Sequence, residues 1–421
     1  MTTDDLGTAT EPVDLLSEEL AVDPHGGYGR LRERAPVLTA SVMGGPSMCL
    51  VTRYADVRSV LVDPRFRSDP ASVPDGQDVR GAIMNALNVP DDLVDYLAQN
   101  ILSTDGADHI RLRRLVSRAF TPRRVAKLRP RIEEITVELL DELVTAAGSE
   151  AAPVDLVEGL CYPLPITVIC ELVGIDVEDR PRWQQWGRTL SSMNPDGLST
   201  ALREVVESVH ELIARRRADP ADDMVTGLIQ AQEDDGDRLS DREMVTMVIA
   251  LVIAGHDTTA QLLASSVQAL LEHPDQLARL TEHPEGWPTA VQELMRMRGP
   301  VFGQVRYPTT DVELGGTVLR AGSPVMPGLL SANTDPREFD RAGELDLRRE
   351  TGPVERHLTF GQGAHYCLGA ALVGDELGIA LRTLFTRFPH LTLAGPGVER
   401  EMRPGSSRII EVSVRLHDGT G

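Results

Sequence analysis

Lysine is almost missing from this sequence. Lys127 stands alone among 42 basic residues, the rest being arginine, which reads as lineage bias rather than function. Aromatic residues are scarce too, at 4% of 421, so the core must be built from Leu, Val, Ile and Ala. Cysteine is limited to Cys49, Cys161, Cys170 and Cys367, with no C-x-x-C pair. That excludes a structural zinc site and, at this length, a disulfide scaffold. The acidic residues 1–22 lack the apolar stretch of a signal peptide. No uninterrupted apolar run reaches membrane-spanning length, so no membrane span is expected. Positive charge is short overall: the net charge is −22, which opposes binding to nucleic acid or an anionic membrane. Together these absences predict a cytoplasmic protein.

What is present is dominated by helical periodicity. Residues 1–22 are expected to be a mobile tail, and residues 23–421 a single domain, since neither a repeat nor a linker cuts the chain. A short helix is expected at 28–34. Two strands at 37–42 and 48–52 flank Gly44-Gly45-Pro46, a hairpin signal. A helix over 54–62 stops at Asp63-Pro64. Residues 68–106 are rich in Pro, Gly, Asn and Asp, with only short helical pieces, as in functional lids. From 107 to 290 nearly everything reads as helix, and short strands return at 304–326 and 391–416. The fold class is mainly α with a small β region.

The stretch Phe360-Gly361-Gln362-Gly363-Ala364-His365-Tyr366-Cys367-Leu368-Gly369 places one cysteine at the end of a glycine-rich loop. Leu372, Leu377, Leu381, Leu384 and Phe385 then recur near helical spacing, giving a helix over 368–387. A helix that begins just after a cysteine points N–H groups at the sulfur and favours thiolate, the metal-binding form. The glycines permit close approach of a flat ligand. The plainer alternative is a buried free cysteine before a helix. A phosphate loop fits less well, because the third glycine and the Lys-Ser/Thr ending are absent.

Phe360-Gly361-x-Gly363-x-His365-x-Cys367-x-Gly369 resembles the haem-ligand loop of the cytochrome P450 family. The resemblance implies the P450 fold, with a long central helix over haem b, and makes Cys367 the axial thiolate on the iron. One departure stands out: the family continues Leu-Ala-Arg-x-Glu, and here Leu372-Val373-Gly374-Asp375-Glu376 replaces Ala-Arg by Val-Gly. That puts local helix contacts in question rather than the ligand.

Three further stretches extend the resemblance over residues 28–416. Residues 108–131 hold nine basic residues against one acid, Asp108, with Leu112, Leu115, Val116 and Ala119 forming one buried face. A charge run of this kind is usually a solvated face. His109-x-x-x-Arg113 is similar to the family's haem-propionate helix, and Arg306 and His357 match two further propionate positions. Arginine grips carboxylates with two parallel hydrogen bonds, which suits propionates. Residues 241–272 predict a helix roughly 48 Å long, opened by the capping box Ser240-Asp241-Arg242-Glu243. Within its apolar run, Ala254-Gly255-His256-Asp257-Thr258 puts an acid where burial is costly unless it is paired or useful. The stretch matches the family's Ala-Gly-x-Asp/Glu-Thr motif. The match implies that Ala254 and Gly255 open the helix over the haem, that Thr258 hydrogen-bonds dioxygen, and that Asp257 supplies protons. Glu293-x-x-Arg296 matches the family's Glu-x-x-Arg, with Arg349 the best third partner, although 350–356 is longer than usual.

The reading is therefore an enzyme, a haem-thiolate monooxygenase that inserts one oxygen atom from O₂ into an apolar small molecule of secondary metabolism. Ferredoxin and ferredoxin reductase would supply electrons from NAD(P)H. The acidic donor would dock near Arg111, Arg114 and Arg118. Oxidative coupling or desaturation by the same haem chemistry is the enzymatic alternative; a peroxide-driven variant fits less well, given the acid–alcohol pair. A gas-sensing or carrier haem protein is the competing class, and Asp257-Thr258 argues against it. By resemblance, the substrate would meet residues 68–100, 251–255, 301–304 and 405–407.

Overall fold

A computed structural model describes residues 12–42, 44–98, 100–148, 152–192, 195–234, 239–349, 356–403 and 406–416. The strands are β1 (Val13–Asp14), β2 (Val37–Ser41), β3 (Met48–Val51), β4 (Phe66–Arg67), β5 (Val154–Asp155), β6 (Tyr307–Pro308), β7 (Val312–Leu314), β8 (Thr317–Leu319), β9 (Val325–Pro327), β10 (Thr392–Arg403) and β11 (Ser406–Arg415). The helices begin with α1 (Glu18–Val22), α2 (Pro24–Arg34), α3 (Tyr54–Val62), α4 (Val79–Ala86), α5 (Asp91–Ala98), α6 (Gly106–Ala119), α7 (Pro122–Ala147) and α8 (Pro163–Val173). They continue with α9 (Arg180–Ser192), α10 (Pro195–Ala218), α11 (Met224–Asp234), α12 (Asp241–Glu272), α13 (Pro274–Glu282), α14 (Trp287–Arg298), α15 (Leu329–Asn333) and α16 (Ala370–Arg387). The chain is helix-rich with little β, as its periodicity predicts. Its described residues gather into two compact units. The first draws on Met1–Val79, Gln292–Cys367 and Arg400–Arg408, the second on Arg80–Val291, Leu368–Glu399 and Ile409–Gly421. No linker marks this division, because each unit is assembled from separated stretches.

The first unit is built on a four-stranded sheet in the order β1-β2-β3-β9. The expected hairpin forms: β2 and β3 pair antiparallel, with Leu38 opposite Leu50. Here the reading of residues 1–22 as a mobile tail needs correction. β1 pairs parallel to β2, with Val13 opposite Ala40, and α1 buries Leu20 and Ala21. Two apolar anchors, Leu15 and Leu20, fix the segment, and its acids face outward, so the composition looked solvated. Residues 1–11 lie outside the described residues.

A buried ion network ties the unit's later segments together. Arg296 Nε and Nη2 donate to the two carboxylate oxygens of Glu293 at 2.7 and 2.8 Å, with both side chains almost fully buried. Arg349 Nε also reaches that carboxylate, at 3.0 Å, as expected for the third partner. Arg296 Nη1 donates to the carbonyls of Asn333 and Ala342, both at 2.7 Å. The Asn333 side chain then accepts from Leu358 N–H at 2.6 Å and donates to Thr359 Oγ1 at 2.9 Å. Leu358 and Thr359 lead directly into the cysteine loop, so the network holds that loop's entrance.

The second unit is organised around α12. Its capping box forms as read: Glu243 N–H donates to Ser240 Oγ at 3.1 Å and Ser240 N–H to Glu243 Oε2 at 2.7 Å. The Gln261 side chain makes two hydrogen bonds to the Ile409 backbone, at 2.9 and 2.7 Å, pinning α12 to β11. The expectation that no segment suits a membrane needs refining. By length and composition α12 could cross one, but 61% of its apolar window is buried inside the protein, as in a core helix. α16 packs along α7 and carries Glu376, which is 2% exposed. Burial, and to a lesser degree the neighbouring Asp375, pushes its carboxyl up to about 8.

Two predictions follow from these buried groups. Arg349→Ala leaves the Glu293 carboxylate short of a partner inside the protein and should cost about 2–4 kcal/mol in urea unfolding. Arg349→Lys should restore only part of this, since an ammonium cannot reproduce the guanidinium fork. Glu376 is protonated in the folded chain up to about pH 8 but ionised in the unfolded chain above its ordinary value of 4.5. Stability should therefore fall as pH rises between those values, by on the order of a few kcal/mol. Glu376→Gln should flatten that fall and raise the melting temperature at pH 8; an unchanged pH profile would refute the assignment.

Candidate active site

The cysteine loop lies in the first unit. Gly361 N–H donates to Leu358 C=O at 2.9 Å, and Cys367 N–H folds back onto Phe360 C=O, also at 2.9 Å. Gly361 and Gly363 take φ of +70° and +78°, in the left-handed region that favours glycine. A Cβ on Gly363 would lie 2.8 Å from the Leu61 carbonyl, so no larger residue fits there. Gly369, two residues after Cys367 in the chain, is the N-cap of α16. Cys367 is half-exposed, whereas the other three cysteines are buried. Burial pushes the Cys49 thiol up to about 11 and that of Cys170 to about 12, and Cys161 is raised as well. Of the four thiols, then, Cys367 alone is not buried. Phe360 is half-buried, its ring centroid 5.9 Å from that of His357 and 6.4 Å from that of Tyr366.

Other candidates in this unit are buried. Arg306 is 5% exposed, and its backbone bridges to Val325 in both directions at 2.8 Å. His357 Nε2 lies 3.2 Å from Gln292 Oε1. Burial and the nearby Arg296 depress its pKa to about 4, so near neutral pH it is an uncharged imidazole. It can serve a carboxylate as a hydrogen-bond donor. His365 Nε2 sits 3.0 Å from Ser68 Oγ, a partner that residue spacing could not reveal. Residues 301–304 form half-buried coil, and Gly405 lies outside the described residues.

In the second unit, α6 carries His109 and Arg113 on its inward stripe with Leu112 and Val116. His109 is 4% exposed and Arg113 half-buried. Ile110, Arg114 and Arg118, spaced at i, i+4 and i+8, form the exposed stripe of the same helix. Arg111 departs from the reading that grouped it with Arg114 and Arg118. Its guanidinium is half-buried against the Glu243 carboxylate, 132 residues away in sequence. The basic surface instead continues around the start of α7, where Arg118, Arg123, Arg124 and Lys127 border a cleft of about 680 Å³. Asp222 is the acid in that lining and pairs with Arg124 and Lys127.

α12 changes character over residues 251–258. Residues 244–249 are buried, but Ala254 is exposed, and Leu251, Gly255, Asp257 and Thr258 are half-exposed. Those at 251, 254, 255 and 258 share one face by helical spacing. Gly255 packs against Ile169, where a Cβ would come within 3.2 Å of that side chain. Thr258 Oγ1 donates to Ala254 C=O at 2.6 Å, leaving its lone pairs as acceptors. His256 is fully buried, with Nε2 3.3 Å from the Tyr162 hydroxyl. The sequence reading passed over it. Its signal was a polar residue on the buried stripe of Val252, Thr259 and Leu263.

The residues fit haem: an accessible thiol at the end of a tight glycine loop, and a small-residue face opened in a core helix. The profile of the cytochrome P450 family matches residues 193–284 and 288–411. The chain is 39% identical over 383 residues to 6-deoxyerythronolide B hydroxylase of Saccharopolyspora erythraea, covering 90% of this chain and 92% of that protein. It is 37% identical over 385 residues to the mycinamicin IV hydroxylase/epoxidase of Micromonospora griseorubida, covering 90% of this chain and 92% of that protein. The structure of the bacillaene polyketide synthase cytochrome P450 PksS of Bacillus subtilis 168 superposes with a TM-score of 0.83 at 32% identity, over 96% of this chain and 99% of that one. A half-exposed turn in a core helix, an accessible cysteine after its glycine loop and relatives named as hydroxylases over nine-tenths of their length agree: this chain belongs to the cytochrome P450 family and is a haem-iron monooxygenase.

Proposed function

We propose that the chain hydroxylates or epoxidises an apolar secondary metabolite of the macrolide or polyketide kind, using haem b and electrons from a ferredoxin served by a ferredoxin reductase. Residues 23–421 act as one catalytic domain in the cytoplasm. The observation that carries the reading is the Thr258 hydroxyl, set on the opened face of an otherwise buried helix beside Asp257. The names of the relatives support the substrate class, and the scarcity of aromatics fits a saturated rather than a planar ligand.

Haem, when bound, supplies the oxidation: O₂, two electrons and two protons yield one oxygen atom for the substrate and one water. Cys367 would hold the iron as thiolate. His109, Arg113 and Arg306 would bind the propionates, with His357 as a neutral donor. Phe360, Gly361, His365 and Gly369 would shape the loop around the ligand, and Ala254 and Gly255 would leave room for oxygen. Thr258, its own hydrogen committed to Ala254 C=O, accepts a hydrogen bond from water or protonated oxygen. Asp257 passes protons towards it.

Three measurements test the assignment. Cys367→Ala should abolish the strongly red-shifted carbon monoxide band of the reduced protein, and survival of that band would overturn the ligand. Thr258→Ala should keep the substrate-induced spin shift, which a macrolide library would reveal, while diverting about tenfold more of the NAD(P)H electrons to peroxide and water; unchanged coupling would refute its role. Arg114→Glu and Arg118→Glu should slow reduction by an acidic ferredoxin about tenfold at low salt. Exposed charges are screened beyond about 8–10 Å at physiological ionic strength, so the loss should shrink as salt is added. Wild-type reduction rates at low salt would exclude this face as the docking site.

A further inference from the structure

The buried contacts around His256 bear on how the oxygen motif is held. The imidazole Nδ1 lies 2.8 Å from the Val252 carbonyl, so Nδ1 carries the hydrogen and Nε2 is left as acceptor. Nε2 faces the Tyr162 hydroxyl at 3.3 Å, and the two rings meet edge to face, 5.6 Å apart at 80°. Tyr162 is 2% exposed and sits in the turn before α8, with the Arg188 guanidinium 5.3 Å from its ring centroid. On α9, Gly187 leaves room for the imidazole: a Cβ there would come within 2.8 Å of Nε2. His256 thus touches the Tyr162 turn and α9 while it grips its own helix one turn back.

The same stretch of α12 holds further side-chain bonds to carbonyls four residues back. Thr258 donates to Ala254 C=O at 2.6 Å and Thr259 to Gly255 C=O at 2.9 Å. Such bonds compete with the backbone ladder and loosen or bend a helix. A loosened turn needs an outside support if its polar side chains are to stay in place. His256 supplies that support from the buried side, opposite the opened face of Ala254 and Thr258.

We propose that His256, braced by Tyr162 and admitted by Gly187, is a positioning residue for the Asp257–Thr258 pair, fixing the turn from which protons reach bound oxygen. The inference rests on the reading of Thr258 and Asp257 given above. It also makes α9 a determinant of oxygen use, since the imidazole is wedged against that helix.

The test compares His256→Phe, Tyr162→Phe, Gly187→Ala and the double variant His256→Phe/Tyr162→Phe as haem-loaded enzymes, well below their melting temperatures. The carbon monoxide band and the substrate spin shift should persist in all four. Product formed per NAD(P)H should drop at least roughly threefold in each single variant, with a matching rise in peroxide. The double variant should be no worse than His256→Phe, because both changes break one contact. Tyr162→Phe removes a single hydroxyl and keeps the test decisive if the histidine variant folds poorly. Wild-type coupling in Tyr162→Phe and Gly187→Ala, alongside uncoupling in Thr258→Ala, would overturn this inference alone. Wild-type coupling in Thr258→Ala would overturn it together with the reading beneath it.

Discussion

The carboxylate of Glu293 is the point on which the first unit depends. Two arginines from different segments share it, Arg296 from the same helix and Arg349 from 56 residues further on. Removing a carboxylate from water costs several kcal/mol, and its attraction to the arginines offsets that only with full hydrogen bonding. The hydrogen bonding here is extensive, because the guanidinium groups also satisfy the carbonyls of Asn333, Ala342 and Glu344. At Ala342 and Glu344 the ion pair thereby fixes loop backbone that has no strand or helix to order it. Through Asn333 the constraint reaches Leu358 and Thr359, and so the entrance of the cysteine loop. Cys367 is only as well placed as the loop that carries it, and this network holds the entrance of that loop.

The second unit solves a different problem. α12 is apolar enough to serve as a core, yet it carries an acid and an alcohol, Asp257 and Thr258, partway along it. The helix meets both demands by dividing its circumference. Val252, His256, Thr259 and Leu263 stay buried, while Leu251, Ala254, Gly255 and Thr258 open outward. Small residues leave the open side uncovered, and the hydroxyls of Thr258 on that side and Thr259 on the buried side both donate to backbone carbonyls four residues back.

Charge is distributed as unevenly as polarity. In a chain of net charge −22, the basic residues between 108 and 131 meet different fates. Arg111 is absorbed by the cap of α12, Arg129 by Asp375 and Arg131 by Glu134, Glu138 and Glu171. Arg114 and Arg118 keep an exposed stripe that runs towards the cleft at the start of α7. Long-range attraction of an acidic partner depends on what remains exposed, not on the count of arginines in the run.

Local rules made much of this legible in advance. The capping box marked the start of α12 to the residue, and the i, i+3 pairing of Glu293 with Arg296 followed from helix geometry. Resemblance to the family's motifs, rather than local geometry, pointed to Cys367, Arg349 and the Ala254–Thr258 stretch. Contacts between distant segments were not legible. Nothing near Arg111 announces Glu243, nothing near His365 announces Ser68, and residues 12–22 looked like a solvated tail because their two apolar anchors find partners only in the folded sheet. His256 shows the division most plainly: its sequence neighbours placed it in the oxygen motif, but only packing decided that it faces Tyr162 and the space left by Gly187. Sequence spacing fixes which side chains share a face of one helix, whereas what that face meets is set by the burial of the whole chain at once.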